Sequence, residues 1–304
     1  MAITTTTVLA DTVPTILERA RFTQRFRAIM ASLCWNIRKQ LHDGKTINVP
    51  YWGVVTASAL TEGVDMTASQ DMEDTLVTIT PAEVGCKIIL TDKLVRDNNE
   101  DIKAAAGRIL GEAMEYKRDY DLLGQIDNAS SSSPDHTLGS TTTAGTIGAV
   151  AAARALLTGN AVAYGGPAPG PFALVHHPFA LLDLVDVLTP ITPASTTGAT
   201  GTMGIADDVI RNYTIGRLFG MPVIEDGNLT GSGSSATSAC KGGVFSTGEG
   251  GSIILGTADE WSIEAERDAS LRATELNVVG EYGVGVYKSA WIVELQFNAT
   301  LPNA

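Results

Sequence analysis

Apolar residues recur at three- and four-residue spacing through one long stretch, LTDKLVRDNNEDIKAAAGRILGEAMEYKRDYDLLGQIDN, residues 90–128. The pattern predicts a short helical turn, a break at Asn98–Asn99, and then a long helix. Ile102, Ala106, Ile109, Ala113, Tyr116, Tyr120 and Leu123 mark its expected buried face. At about 1.5 Å per residue, roughly thirty residues make a rod of about 45 Å. Gly107 and Gly111 lie one turn apart inside it, where each costs about 1 kcal/mol relative to Ala. Two readings follow: close packing against a neighbouring backbone, or a bend point in a helix that changes curvature.

Ahead of the rod, Pro14 suits the first turn of a helix running to Leu41, with Phe22, Phe26, Ile29, Leu33, Ile37 and Leu41 at helical spacing. Two β-rich runs, 47–56 and 75–80, flank a polar tip, and a third run, 84–90, leads into the rod. Pro50 and Pro81 place these strands at sheet edges, because proline cannot donate to a ladder. A hairpin with only edges is marginal in water by itself, so it must lie on something, another copy of the chain included. Beyond the rod, 129–145 reads as a Ser/Thr loop and 147–157 as a short helix. FALVH (172–176) reads as a buried strand and 179–188 as a helix. Residues 189–204 read as a flexible tract and 207–219 as helical. The last sixty residues or so are strand after strand, so the class is α+β rather than a regular βαβ alternation.

Charge sharpens this picture. The 304 residues carry a net −13, which argues against broad binding to nucleic-acid phosphate. Between residues 46 and 85 stand Glu62, Asp65, Asp71, Glu73, Asp74 and Glu83, with no Lys or Arg. From 18 to 45 the balance reverses: Arg19, Arg21, Arg25, Arg27, Arg38, Lys39 and Lys45 face only Glu18 and Asp43, a net of +5. That basic segment is either a solvated helix face or a surface for an acidic partner. No signal peptide and no stretch able to cross a membrane is visible, and Cys34, Cys86 and Cys240 read as free thiols of a soluble, cytoplasmic product.

Candidate chemistry is thin. STGEGGS (246–252) lacks the Lys-Ser/Thr that completes a phosphate loop and reads as a hairpin turn. His176–His177 ends a strand, where adjacent side chains point to opposite faces, and no third ligand stands at useful spacing. No nucleophile–base pair is visible, so neither catalysis, nor a metal, nor a cofactor is expected.

The order of parts resembles the tailed-phage major capsid proteins of the Hong-Kong-97 fold. The resemblance is carried by GKTINVP, the acidic hairpin, ITPAEVGCKIILTDKLVRDN, the long helix ending YKRDYDLLGQI, FALVHHPFALLDLVD, GRLFGMPVIED and GEYGVGVYKSAWIVELQF. It implies an N-arm (1–45), an extended loop (46–89), a peripheral domain with the spine helix (90–170 and 259–285), and an axial domain (171–258 and 286–304). Residues 192–204 become a candidate axial tip. The implied function is a non-enzymatic subunit that self-assembles, as pentamers and hexamers, into the icosahedral shell around double-stranded DNA. Implied partners are a separate scaffolding protein, a portal, decoration proteins in some shells, and DNA touched weakly and non-specifically. No lysine lies between Lys45 and Lys87, so the covalent crosslink of some family members is not expected. On this reading Glu62, Asp65, Asp71, Glu73 and Asp74 contact Arg19, Arg21, Arg25, Arg27 and Arg38 of a neighbour, and Gly107–Gly111 is the spine-helix bend. Two alternatives stay open: an encapsulin-like shell with protein cargo, and a soluble α+β metal-binding enzyme using the histidine pair.

Overall fold

The computed structural model describes residues 28–39, 44–63, 65, 69, 71–72, 74–97, 102–126, 135–160, 166–188, 216–229 and 237–300. Its architecture is α+β, two sheets with helices on them. The first sheet has four strands: β1 (Trp35–Arg38), β4 (Ala82–Thr91), β10 (Ile253–Asp268) and β11 (Ala273–Val286), in the order β1-β10-β11-β4. On it lie α2 (Asp92–Asp97) and the long helix α3 (Ile102–Leu123). At 22 residues, α3 is about 33 Å long, shorter than the sequence suggests.

The face α3 buries is the predicted one only in part: Ala106 and Leu123 are buried as expected, but Ile109 and Tyr120 are not. Ala106, Leu110 and Met114 pack with Leu90, Leu276 and Val278, while Ile109 and Tyr120 stand exposed. Both stripes have helical spacing. The sheet selects the one whose long Leu110 and Met114 side chains reach Leu276 and Val278 of β11, which periodicity alone cannot decide.

The second sheet has the order β5-β12-β9-β6-β8-β7. Its strands are β5 (His136–Gly139), β6 (Phe172–His176), β7 (Arg217–Leu218), β8 (Met221–Glu225), β9 (Thr237–Ser246) and β12 (Ile292–Thr300). Helices α4 (Ile147–Gly159) and α5 (Pro178–Leu188) cover it, burying Val150, Ala153, Leu157, Leu181 and Leu184 against Val293, Leu295 and Phe297. Thr146 caps α4 by accepting from the Ala149 amide at 3.2 Å. Between the two sheets a shared cluster of Met30, Leu122, Leu123, Ile126, Val175, Phe245, Ile253, Tyr282 and Ile292 closes the core. The glycine turn at 247–252 joins β9 to β10, strands of different sheets, and so is a junction rather than a hairpin turn.

Three further expectations are corrected. Of the helix predicted from Pro14 to Leu41, residues 14–27, 40 and 41 lie outside the described residues, and within 28–39 it gives way to a four-residue helix α1 (Met30–Leu33) and then strand β1, which pairs in parallel with β10. Ile29, Leu33 and Ile37 fit helical spacing, but Trp35 and Ile37 also alternate, and an open sheet edge claims them. Residues 136–139, read as loop, form β5 because β12 offers a free edge. Residues 217–218, read as the end of a helix, form β7. The proposed tip at 192–204 lies outside the described residues.

Candidate assembly interface: the projecting hairpin and its seat

The acidic hairpin forms where the strand pattern predicts, although its first strand ends at Trp52 rather than at 56. β2 (Ile47–Trp52) and β3 (Asp74–Ile79) pair antiparallel from Ile47↔Ile79 to Trp52↔Asp74, a two-stranded sheet joined to no other strand among the described residues. At its base every second residue points inward, so that Ile47, Val49 and Ile79 are buried with Ile254 of β10. Toward the tip this contact ends. Every described residue from Trp52 through Met72 is exposed, and each six-residue strand extends about 20 Å.

The base rests on glycines. A Cβ at Gly256 would lie 2.7 Å from Ile47 Cδ1, one at Gly283 would lie 2.8 Å from Ile79 Cγ2, and one at Gly285 would lie 2.9 Å from Ile79 Cγ1. These three positions on β10 and β11 carry no side chain because two isoleucines occupy the space. Around the seat runs an aromatic rim. Tyr287 meets Trp35 at 5.4 Å and Tyr51 at 5.6 Å, both edge-on, and the Lys288 ammonium lies 5.1 Å from the Tyr51 ring and 4.8 Å from that of Trp291. Burial there holds the Lys288 pKa below its ordinary value. Thus β1, the hairpin and the first sheet meet in one small apolar joint.

The charged candidates divide. Glu62, Asp65, Asp71 and Asp74 are all exposed on the projecting part. Glu73 and Arg19, Arg21, Arg25 and Arg27 lie outside the described residues. Arg38 is at the end of β1 and pairs with Glu260 of its own chain at 2.8 Å. Both side chains are mostly exposed, so this pair contributes at most about 1 kcal/mol and remains exchangeable.

What sequence reasoning missed on the arm is its apolar surface. Trp52 is 64% exposed and Met72 75%, with Val54, Val55, Leu60 and Leu76 also open. Covering six such side chains is worth on the order of 10 kcal/mol gross, against about 0–1 kcal/mol for each exposed charge pair. Apolar burial therefore outweighs exposed charge pairing in any contact that covers this surface.

Gly107 and Gly111 sit inside the unbroken α3. A Cβ at Gly107 would reach only Ile263 Cδ1, at 4.0 Å, and one at Gly111 nothing within 4 Å. Close packing among the described residues does not explain either glycine. His176 is fully buried, stacks on Phe297 at 5.2 Å, and places Nε2 3.3 Å from the Leu295 carbonyl oxygen. Burial drives its pKa down to about 4. Among the described residues no group of three His, Cys, Asp or Glu side chains is arranged to hold a metal ion, and no helix is long and apolar enough to cross a membrane.

No family model matches the sequence, and no curated protein matches it. The fold does have solved relatives. A chain from Mycobacterium phage Che8 superimposes with a TM-score of 0.69 at 17% identity, covering 92% of this chain and 95% of that one. A chain of the acid-stable capsid of Helicobacter pylori bacteriophage KHP30 gives a TM-score of 0.70 at 10% identity, covering 98% and 99%. A chain from the capsid of a native GTA particle gives 0.63 at 15% identity, covering 94% and 95%. Over nearly its whole length, this chain carries the fold of bacteriophage capsid subunits.

Proposed function

We propose that this chain is the major capsid protein of a tailed phage. It self-assembles through pentamers and hexamers into the icosahedral shell that encloses double-stranded DNA, and it resides in the virion. The observation that carries this reading is the hairpin: a two-stranded arm on a fold shared with capsid chains, its base seated and its length exposing six large apolar side chains. A monomer gains nothing from such a surface, whereas a lattice of copies covers it. In this reading residues 1–45 are the N-arm, 46–89 the extended loop, 90–170 with 259–285 the peripheral domain, and 171–258 with 286–304 the axial domain. The acidic tip lies across the basic N-arm of an adjacent subunit, with Arg19, Arg21, Arg25 and Arg27 facing the carboxylates and Arg38 exchanging Glu260 for them. Scaffolding protein and portal are separate chains, DNA contact is weak and non-specific, and the subunit performs no catalysis.

Negative-stain microscopy of the expressed full-length chain tests the shell reading. Closed icosahedral particles or capsomer rings are expected. A monodisperse monomer at micromolar and higher concentration, with or without a co-expressed scaffold, would refute it. Particles holding protein cargo and no nucleic acid in infected cells would refute the genome-enclosing part.

A further inference from the structure

We propose that Asp119 and Asp226 share one proton in a buried lock, which ties the exit of the N-terminal segment to the long helix and to the turn after β8, and that losing this proton loosens the junction. Asp119, near the end of α3, is 1% exposed. Its Oδ1 accepts from the backbone amides of Ile29 at 2.9 Å and Met30 at 3.0 Å, which cap α1 where the chain leaves residues 1–27. Its Oδ2 accepts from Asn228 Nδ2 at 2.9 Å. One carboxylate thus gathers three elements distant in sequence.

Asp226 stands beside it in the turn after β8, also 1% exposed. Its Oδ1 accepts from the Asn228 amide at 2.9 Å, and its own amide donates to the His176 carbonyl at 3.1 Å. Its Oδ2 is buried and has no donor among the described residues, and Asn228 holds the two carboxyls together, its amide on Asp226 and its side-chain amide on Asp119. Two buried carboxylates gathered on one residue cannot both ionise cheaply; a proton on Asp226 Oδ2 removes the repulsion and turns that atom into a donor. Desolvation first, then Asp119, push the Asp226 pKa up to about 7.

Among the described residues no cation is recorded in an ion pair with either carboxyl. From the segment after α1, the facing group is the Cys34 thiol, whose pKa burial and Asp119 both raise. From β6 only the His176 carbonyl reaches Asp226, the imidazole being turned to Leu295. From β9, Lys241 borders a cavity of about 80 Å³ that Asn228 also lines, but its ammonium lies 3.8 Å from Glu294. The lock is protonated on the acid side of neutrality and opens as pH rises, freeing the junction from which the basic N-terminal segment departs.

The test is hydrogen exchange and infrared spectroscopy on the full-length chain. With an apparent pKa of about 7, roughly nine molecules in ten hold the proton at pH 6 and one in ten at pH 8. Exchange at Ile29 and Met30 should accelerate between those pH values by roughly tenfold beyond the intrinsic change. Asp226→Asn, whose amide donates to Asp119 at any pH, should abolish the excess, and Asp119→Asn should do the same from the other side. Unchanged protection in the wild type, or an Asp226→Asn protein keeping the wild-type response, would overturn the lock. Should either variant fail to fold by circular dichroism, the wild type decides. A neutral-carboxyl band present at pH 6 and gone by pH 8 supports the shared proton, and its absence at pH 6 refutes it. The lock belongs to the single chain and stands or falls apart from the shell reading.

Discussion

Substituting Gly283 by Ala puts the joint between hairpin and body to a direct trial. The new methyl would lie 2.8 Å from Ile79 Cγ2, 3.1 Å from the Thr80 carbonyl oxygen and 3.2 Å from Pro81 Cα. Carbon atoms rest at about 3.5–4.0 Å, so the neighbours must retreat by about 0.7 Å or more. The offending Cγ2 is a methyl fixed directly to the branched Cβ of Ile79, which is only 3% exposed, and the other two obstacles are backbone, so rotation of a side chain cannot readily absorb the clash. Overpacking of this kind costs about 1–3 kcal/mol. Gly256→Ala is the internal control. Its methyl meets the terminal Cδ1 of Ile47 at 2.7 Å and otherwise nothing nearer than 3.6 Å, and a terminal methyl can swing aside. Urea unfolding of the purified subunit should therefore rank Gly283→Ala well below wild type and Gly256→Ala only slightly below. Ile79→Ala, which costs about 2–5 kcal/mol alone through the cavity it leaves, should be partly complemented by Gly283→Ala, giving a coupling of about 1 kcal/mol or more in the double-mutant cycle. Hydrogen exchange should place the loss in β2 and β3 first. Equal costs for the two glycine variants, or strict additivity with Ile79→Ala, would refute the seat.

Other consequences concern the arm and the long helix. Replacing Asp71, Glu73 and Asp74 with lysine should leave the subunit folded by circular dichroism and impair shell formation; normal particles by electron microscopy would sink the pairing with the basic N-arm. Trp52→Ser with Met72→Ser should weaken assembly more than loss of any single carboxylate, because apolar burial exceeds an exposed pair several-fold; critical concentrations from light scattering give the comparison. Gly107→Ala with Gly111→Ala should raise subunit stability by roughly 1–2 kcal/mol, since neither methyl meets an obstacle among the described residues. If the glycines serve a bend, the same variant should alter helix curvature in precursor shells, and unchanged curvature and expansion would count against it.

The sequence revealed those elements whose signal is local. Twenty-two residues of α3 carry enough helical period to stand out, and the hairpin is marked by β-rich runs around a polar tip. What stayed hidden depends on partners remote in the chain. Ile102 and Ala106 belong to both candidate stripes of α3, and only the furrow beside Leu276 and Val278 decides which face is buried. β1 required an open edge on β10, more than two hundred residues away. The seat is half legible: GVG at 283–285 is a period-two signal of an approaching backbone or side chain, but Gly256 joins it only through sheet pairing. Asp119 and Asp226 resemble ordinary surface acids in sequence, and nothing short of the fold shows that both are buried together.

Two buried titratable groups also predict opposite pH responses, and the sign of each follows from its proton count. Asp226 has its pKa raised to about 7, against about 3.9 in the unfolded chain. Between those values the native state holds the extra proton, so its contribution to stability is greatest in acid and falls as pH rises, by about 1.4 kcal/mol per unit at most. His176 has its pKa lowered to about 4, against about 6.5 unfolded. There the unfolded chain holds the extra proton, so stability is full above pH 6.5 and is lost toward pH 4 with a slope of similar size. The two slopes oppose one another through their common window, from about pH 4 to 6.5, and nearly cancel. Single variants should expose them. Measured as a difference from wild type, which removes every other titrating group, Asp226→Asn should gain stability steadily as pH rises from 4 to 7. His176→Phe, which keeps a ring against Phe297, should instead lose stability relative to wild type as pH rises from 4 to 6.5. Urea midpoints across that range give both differences. Slopes of the same sign, or differences independent of pH, would show that one of these groups is solvated in solution, and the packing of His176 on Phe297 or of Asp226 beside Asn228 would have to be redrawn.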